Sequence, residues 1–222
     1  MGFFDFMQKV NLAGSGDPNQ KIFAGLASLG LQVTRREGLA ITELGGTFQG
    51  RQAGMLVDAS ALMGAAGMAY ASAASTAIAS AAGLISGRLA DYRTRMLGHR
   101  ARSAMQQAQV LLCWSIAGGS PAPGPLVIGR TAETGPAVGP GLHASGDPAL
   151  VSRLSHPRLL SQIQSALFDQ IEVRDAVVSA SLARENVEYQ KLMVPPERLA
   201  QVTNDVLQAL SGVAYLICEE GS

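Results

Sequence analysis

The sequence is poor in charged and aromatic residues. Of its 222 residues, 15% are charged and 5% are aromatic, whereas 47% are hydrophobic. Soluble domains usually contain roughly 25% charged residues, and the mean hydropathy of this chain is positive, at +0.18. The hydrophobic content excludes wholesale disorder. The shortage of charge indicates a membrane, a partner or a self-assembly surface.

The chain also lacks net charge and reactive cysteine patterns. Seventeen basic residues balance seventeen acidic ones, so no overall field attracts nucleic acid. Cys113 and Cys218 match no metal or redox spacing. We expect Cys113, which lies in an apolar run, to be a small buried hydrophobic residue rather than a nucleophile.

No catalytic signature is present. The sequence contains no nucleophile elbow, no Walker loop and no dinucleotide fingerprint after a strand. His99, His143 and His156 stand at no ligand spacing from another His, Cys or carboxylate. We therefore predict no catalytic residue, no metal and no cofactor. An enzyme of unrecognised type is a third hypothesis, behind the two developed below.

Residues 1–16 are predicted to form an N-terminal amphipathic segment. They have no basic leader and no continuous apolar stretch, so export is not expected. Phe3 and Phe6 can share one helical face. Two interpretations are open: a short helix packed on the body of the protein, or an interfacial or partner-binding helix.

Residues 17–222 are predicted to form a single α+β domain. The fold class is an antiparallel sheet interrupted by a long Ala-rich helical insertion at 59–107, with flanking helices and a Gly/Pro-rich loop region at 118–147. Strand spacing leaves no room for crossover helices between most neighbours. Strands are expected at 32–34, 39–42, 52–57, Gln109–Ile116, Pro125–Gly129, Ile171–Arg174 and Val177–Leu182. Helices are expected from Pro18 to Gly30, from Pro148 with a break at His156–Pro157, and from Pro196.

Ala59–Gly87 is an uncharged run of alanine, serine and glycine. Its length exceeds the roughly 20 residues that span a bilayer, but alanine and serine make its hydrophobicity dilute. If the strands before and after it share a sheet, a single crossing would separate them. Small residues such as Gly83 and Gly87 recur four apart, which favours close helix packing.

An arginine-rich stretch follows. Arg88, Arg95 and Arg102 lie seven apart on one flank of a predicted helix, and Arg93 and Arg100 lie on the other. The pattern resembles an apolar seam bordered by cations. A solvated amphipathic helix, an acidic partner and anionic lipid headgroups are all compatible with it. Nucleic acid is disfavoured because no base-reading motif accompanies the arginines.

The leading functional hypothesis is a non-catalytic interaction or assembly protein that acts through close helix packing, as a homo-oligomer or with a protein partner. The alternative is a membrane-associated protein that inserts or docks through Ala59–Gly87 and the arginine-rich stretch. The expected location is the cytoplasm, or a peripheral or integral position at the inner face of the membrane. The predicted interaction residues are Phe3, Phe6, Gly83, Gly87, Arg88, Arg93, Arg95, Arg100 and Arg102.

Overall fold

The computed structural model of the chain describes residues 23, 25–37, 41–61, 107, 109–193 and 196–216. The elements whose two ends both lie in these ranges include nine strands and four α-helices. The strands are β1 (Leu31–Glu37), β2 (Ile41–Phe48), β3 (Arg51–Asp58), β4 (Gln109–Ala117), β5 (Leu126–Gly129), β6 (Ala137–Gly139), β7 (Leu142–Gly146), β8 (Gln170–Arg174) and β9 (Val177–Glu185). The helices are α1 (Pro148–Arg153), α2 (Pro157–Ser165), α3 (Asn186–Met193) and α4 (Pro196–Ala214).

All nine strands join one antiparallel sheet in the order β1-β2-β3-β4-β9-β8-β5-β7-β6. Two tight hairpins set much of this order. The β2–β3 turn consists of Gln49 and Gly50, whose φ angles are 51° and 79°, the left-handed pair that matches the twist of a two-residue hairpin. Asp175, with φ 54°, turns β8 into β9. Because β4 pairs with both β3 and β9, it lies near the middle of the sheet.

The core lies between one face of this sheet and the helices. On β4, buried Val110, Leu112, Trp114 and Ile116 alternate with more exposed residues, as the two-residue period of a strand requires. The apolar face of α4 covers β4 and β9. The buried residues form one continuous cluster that also includes residues of α1, α2 and α3. We call this side of the sheet the helix-covered face.

The predicted α+β class with a long helical insertion is wrong. The described residues form a sheet-dominated fold, built on nine antiparallel strands with a few short helices. The prediction included an antiparallel sheet with seven expected strands, but it missed β6 and β7. All nine strands join edge to edge, so the continuous sheet is the main architectural unit. Most of the span 59–107 lies outside the described residues.

The Gly/Pro-rich region was also predicted incorrectly in part. We expected residues 118–147 to be a Gly/Pro-rich loop region, but their second half contains a 3₁₀ turn at Ala132–Thr134 and the strands β6 and β7. Glycine has a low strand propensity, so short edge strands that are rich in glycine are not recognised from composition. At Gly129, an added Cβ would collide with the side chain of Thr134. Glycine therefore permits the 3₁₀ turn to pack closely on β5.

Several local predictions are confirmed. The strands expected at 52–57, 109–116 and 177–182 lie within β3, β4 and β9. The side chain of Asp147 accepts a hydrogen bond of 2.8 Å from the Ala149 N–H and so caps α1. The break at His156–Pro157 separates α1 from α2. Gly30, with φ 80°, follows the end of a helix that includes Phe23 and residues 25–27.

Arg130 fastens the end of α2 to the sheet. Its Nη2 donates hydrogen bonds to the carbonyl oxygens of Ile163, Gln164 and Ala166, at 3.1, 3.2 and 2.7 Å. These carbonyls lie at the carboxyl end of a helix, where backbone acceptors have no partner within the helix. The guanidinium also lies 4.4 Å from the centre of the Phe168 ring. Desolvation lowers the pKa of Arg130 from its ordinary value.

Candidate functional site

A buried polar contact fixes α4 on the helix-covered face. The indole Nε1 of Trp114 donates a 3.2 Å hydrogen bond to the hydroxyl of Thr203, and both residues are fully buried. The Thr203 hydroxyl in turn faces the sulfur of Met55 at 3.7 Å. The contact therefore joins α4 to β4 and β3. Since buried polar groups are costly unless paired, it favours one register of the helix on the sheet.

The opposite face of the sheet differs in chemistry. No helix of the described part of the chain belongs to it, and its side chains on the central strands are half-buried or exposed. Leu111, on β4, is 37% exposed. We define the open patch as eight uncharged side chains at the centre of β3, β4 and β9 on this face. They are Gly54, Leu56, Leu111, Cys113, Ser115, Ser179, Ser181 and Ala183. Asp58 and Glu185 lie on the same face at the strand ends.

Strand register brings these residues into adjacent rows. Cys113 pairs with Leu56 on one side and with Ser181 on the other. The next row joins Gly54, Ser115 and Ser179 in the same way. None of the eight patch residues is charged. A water-facing side of an antiparallel sheet usually carries polar residues in alternation. Here small uncharged side chains leave a smooth surface on which another backbone can approach closely.

Charged residues occur at the margins of the open patch. Asp58 lies at the end of β3, and Glu172 and Arg174 form an ion pair on β8. Within the patch, burial and then the nearby Asp58 carboxylate raise the pKa of the Cys113 thiol. Because the thiolate is the reactive form, Cys113 stays a neutral thiol near neutral pH. The residue is half-buried, whereas the sequence predicted a buried position.

The Ala-rich and arginine-rich stretches are bounded by paired strands. Asp58, the last residue of β3, lies opposite Leu111 of β4. Residues 59–108 therefore leave and rejoin the sheet at the same end of two neighbouring strands. Asp58 also accepts a 2.9 Å hydrogen bond from the Ser60 N–H. A single membrane crossing within 59–108 would place β3 and β4 on opposite sides, which their pairing forbids.

The interaction residues predicted from sequence all lie outside the described residues. They are Phe3, Phe6, Gly83, Gly87, Arg88, Arg93, Arg95, Arg100 and Arg102. The structure therefore brings none of them together and separates none of them, and they stay predictions. Among the described residues, no helix has the length and apolar character needed to cross a membrane.

The histidines within the described residues have local contacts. His143 Nδ1 lies 3.0 Å from the Gly135 carbonyl oxygen. His156 occupies the N-cap position of α2, and its side chain makes no hydrogen bond to the helix. Its position is explained by the following Pro157, which fits the first turn of a helix. Within the described ranges, no group of three metal-binding side chains is found.

The open patch was missed from sequence, although a signal for it exists. We interpreted Gln109–Ile116 as apolar on both faces and therefore as a covered central strand. Its central position is confirmed, but Leu111 on its second face remains partly exposed. The signal is the alternation of β9, in which Ser179, Ser181 and Ala183 share one face. Small residues in alternation on two neighbouring strands indicate a surface that is neither core nor charged exterior.

No protein-family model matches the chain, and no curated protein matches it. One solved structure has a distant similarity: "crystal structure of the mycobacterial trehalose monomycolate transport factor A, TtfA". The TM-score is 0.38 with 6% sequence identity, and the match covers 84% of this chain and 94% of that chain. At this TM-score and identity, the similarity assigns neither a family nor a function.

Proposed function

We propose that the protein is a non-catalytic interaction or assembly protein that uses the open patch as a contact surface. The observation that supports this proposal is a pair of uncharged rows at the centre of three adjacent strands, Leu56–Cys113–Ser181 and Gly54–Ser115–Ser179. Leu111, beside them on β4, is 37% exposed. The cores of protein interfaces are depleted of charged residues. A contiguous uncharged surface of this kind on one side of a sheet is typical of a contact site.

The small side chains of the open patch favour a closely packed partner. Gly54, Ser115 and Ser179 form one row, and an added Cβ on Gly54 would lie 3.1 Å from the Ser115 hydroxyl. The side chains of this row project little from the sheet, so a helix or a strand with small side chains can approach the sheet backbone. We propose self-association as the first form of this contact, with a different protein partner as the second.

The sequence-based interaction residues belong to the same proposal. Gly83 and Gly87 would provide close contact, and the five arginines from Arg88 to Arg102 would set orientation or partner choice. Phe3 and Phe6 would add an apolar contact. A cytoplasmic location, or a peripheral position at the inner face of a membrane, is part of the proposal.

Native mass spectrometry with and without detergent tests this function. We expect the wild-type chain to form an oligomer whose mass does not depend on detergent. Gly83→Leu and Gly87→Leu should shift the equilibrium toward monomer, whereas Ser72→Ala should leave it unchanged. A wild-type chain that remains monomeric in both conditions contradicts self-association. Equal tolerance of the leucine and alanine changes contradicts the role of the two glycines.

Membrane association is the second candidate, and the pairing of Asp58 with Leu111 constrains it. Since 59–108 must return to the same end of the sheet, we propose docking or re-entry rather than a single crossing. The arginines would then contact anionic headgroups. Carbonate extraction of a membrane fraction distinguishes re-entry from docking. Resistance to extraction indicates insertion of 59–87, and release indicates peripheral binding. A chain that never enters the membrane fraction contradicts this candidate.

A further inference from the structure

A polar cleft lies on the helix-covered side of the sheet, opposite the open patch. It is formed by the β2–β3 turn, α2 and the carboxyl end of α4, and its volume is about 400 Å³. This volume lies within the range of roughly 300–1,000 Å³ that small-molecule sites occupy. The described side chains that line it include Gln49, Arg51, Gln162, Gln208, Ser211 and Tyr215.

One wall of the cleft is held in an uncommon conformation. Gln49 has a φ of 51°, a left-handed conformation that is costly for a residue with a long side chain. Its side chain is fixed across the cleft, because the Ser211 hydroxyl donates a 3.1 Å hydrogen bond to Gln49 Oε1. The turn therefore holds an amide group in a defined position.

Two further features indicate a preformed site. Arg51 is anchored by a 3.2 Å hydrogen bond from Nη1 to the Ala117 carbonyl oxygen. At the other rim, Tyr215 follows the last residue of α4 and is 55% exposed. An exposed aromatic ring thus stands beside three glutamine side chains.

The donors and acceptors of the cleft distinguish between classes of ligand. Each glutamine amide presents an oxygen beside its NH₂ group, and serine and tyrosine hydroxyls both donate and accept. An acceptor-only anion could pair with the Arg51 guanidinium and the amide NH₂ groups, but it would leave the amide oxygens without a donor. A donor-only cation would meet the Arg51 guanidinium, and no carboxylate is among the described lining residues. A hydroxyl group can pair with any of these side chains, because it also donates and accepts.

We infer that this cleft binds an uncharged small molecule that carries several hydroxyl groups, a polyol or a sugar. The glutamines pair with its hydroxyls, and the Tyr215 ring contacts its C–H face. This inference is independent of the proposed contact function, because the cleft and the open patch share no residue.

Site-resolved NMR titration of the full chain tests the inference. The probes are maltose and glucose, with sodium phosphate, sodium acetate and methylammonium chloride as charged comparisons. We expect saturable shifts with at least one sugar at the side-chain amides of Gln49, Gln162 and Gln208. Gln208→Leu should weaken binding by about tenfold, since one hydrogen bond is lost. Gln201→Leu, at an exposed position of the same helix, is the matched control.

Gln49→Gly provides a second variant that keeps the turn. Glycine adopts positive φ without cost, so this change removes the amide while the hairpin remains folded. It should weaken sugar binding as Gln208→Leu does, with an unfolding midpoint that is not lowered. Linear shifts spread over the surface, identical in native and Gln208→Leu proteins, would overturn the site. Saturable shifts with phosphate, acetate or methylammonium but not with the sugars would overturn the ligand class.

Discussion

Replacing Thr203 by valine tests how α4 is held on the sheet. Valine has nearly the same shape as threonine but lacks the hydroxyl that accepts the Trp114 Nε1–H bond at 3.2 Å. Because Trp114 and Thr203 are both fully buried, water cannot replace the lost acceptor. The indole N–H is then left without a partner in the core.

An unsatisfied buried donor costs about 1–3 kcal/mol. The added apolar contact of a valine methyl group recovers part of this, at most about 0.8 kcal/mol. We therefore expect Thr203→Val to lower the free energy of unfolding by about 1–2 kcal/mol. Thr203→Ser keeps the hydroxyl and removes one methyl group. The decrease in the free energy of unfolding of this variant therefore measures the lost packing alone.

Urea unfolding provides the measurement, and a double-mutant cycle assigns the cause. Trp114, the single tryptophan of the chain, reports unfolding by fluorescence, and circular dichroism serves for the Trp114→Phe variants. Phenylalanine has no N–H, so Thr203→Val should cost less in that background by about 1 kcal/mol. An equal effect of Thr203→Val in both backgrounds would refute this reasoning.

Three further predictions concern stability. Burial raises the pKa of Tyr189, so the folded state keeps a proton that the unfolded state loses above about pH 10. Stability should therefore fall from about pH 10 upward, by up to about 1.4 kcal/mol per pH unit, and less steeply in Tyr189→Phe. Arg130→Lys should cost about 1–2 kcal/mol, because one ammonium cannot reproduce the guanidinium contacts at the end of α2. Gly46→Ala should cost more than about 2 kcal/mol, because its Cβ would collide with the Gly30 carbonyl oxygen. Gly45→Ala, whose Cβ would meet a methyl group at 3.1 Å, should cost less.

Denaturant unfolding at several pH values checks all three. Parallel pH profiles for native protein and Tyr189→Phe would contradict the assigned role of that phenol. If Arg130→Lys left the free energy of unfolding unchanged, the carbonyl oxygens at the end of α2 would have other hydrogen-bond donors. If Gly45→Ala and Gly46→Ala were equally destabilising, backbone contact at Gly46 would not be the cause.

Local structure could be predicted from the sequence wherever a single residue type determines the local backbone conformation. Asp147 with Pro148 begins α1, and Asp175 turns β8 into β9 because short polar residues adopt turn conformations readily. An antiparallel sheet was predicted, but its extent and strand order were not, because the pairing of distant strands such as β4 with β9 depends on tertiary contacts. The fold class was wrong for that reason.

The candidate site was harder to predict than the fold. The open patch depends on which strands are neighbours, since Cys113 and Ser181 meet only through β4–β9 pairing. Likewise, Gln49 and Ser211 are distant in sequence and meet only when α4 packs on the sheet. Neither site has a local motif. The uncharged alternation of β9 was the one sequence signal for the patch.

The proposed function depends most on the open patch as a contact surface. Ser181→Arg introduces a charge at its centre, and Gln201→Arg introduces the same charge at an exposed position of α4. Native mass spectrometry of both variants, after circular dichroism has established folding, measures the oligomer. We expect Ser181→Arg to be monomeric and Gln201→Arg to retain the wild-type mass. An unchanged oligomer in Ser181→Arg would contradict the proposed contact surface.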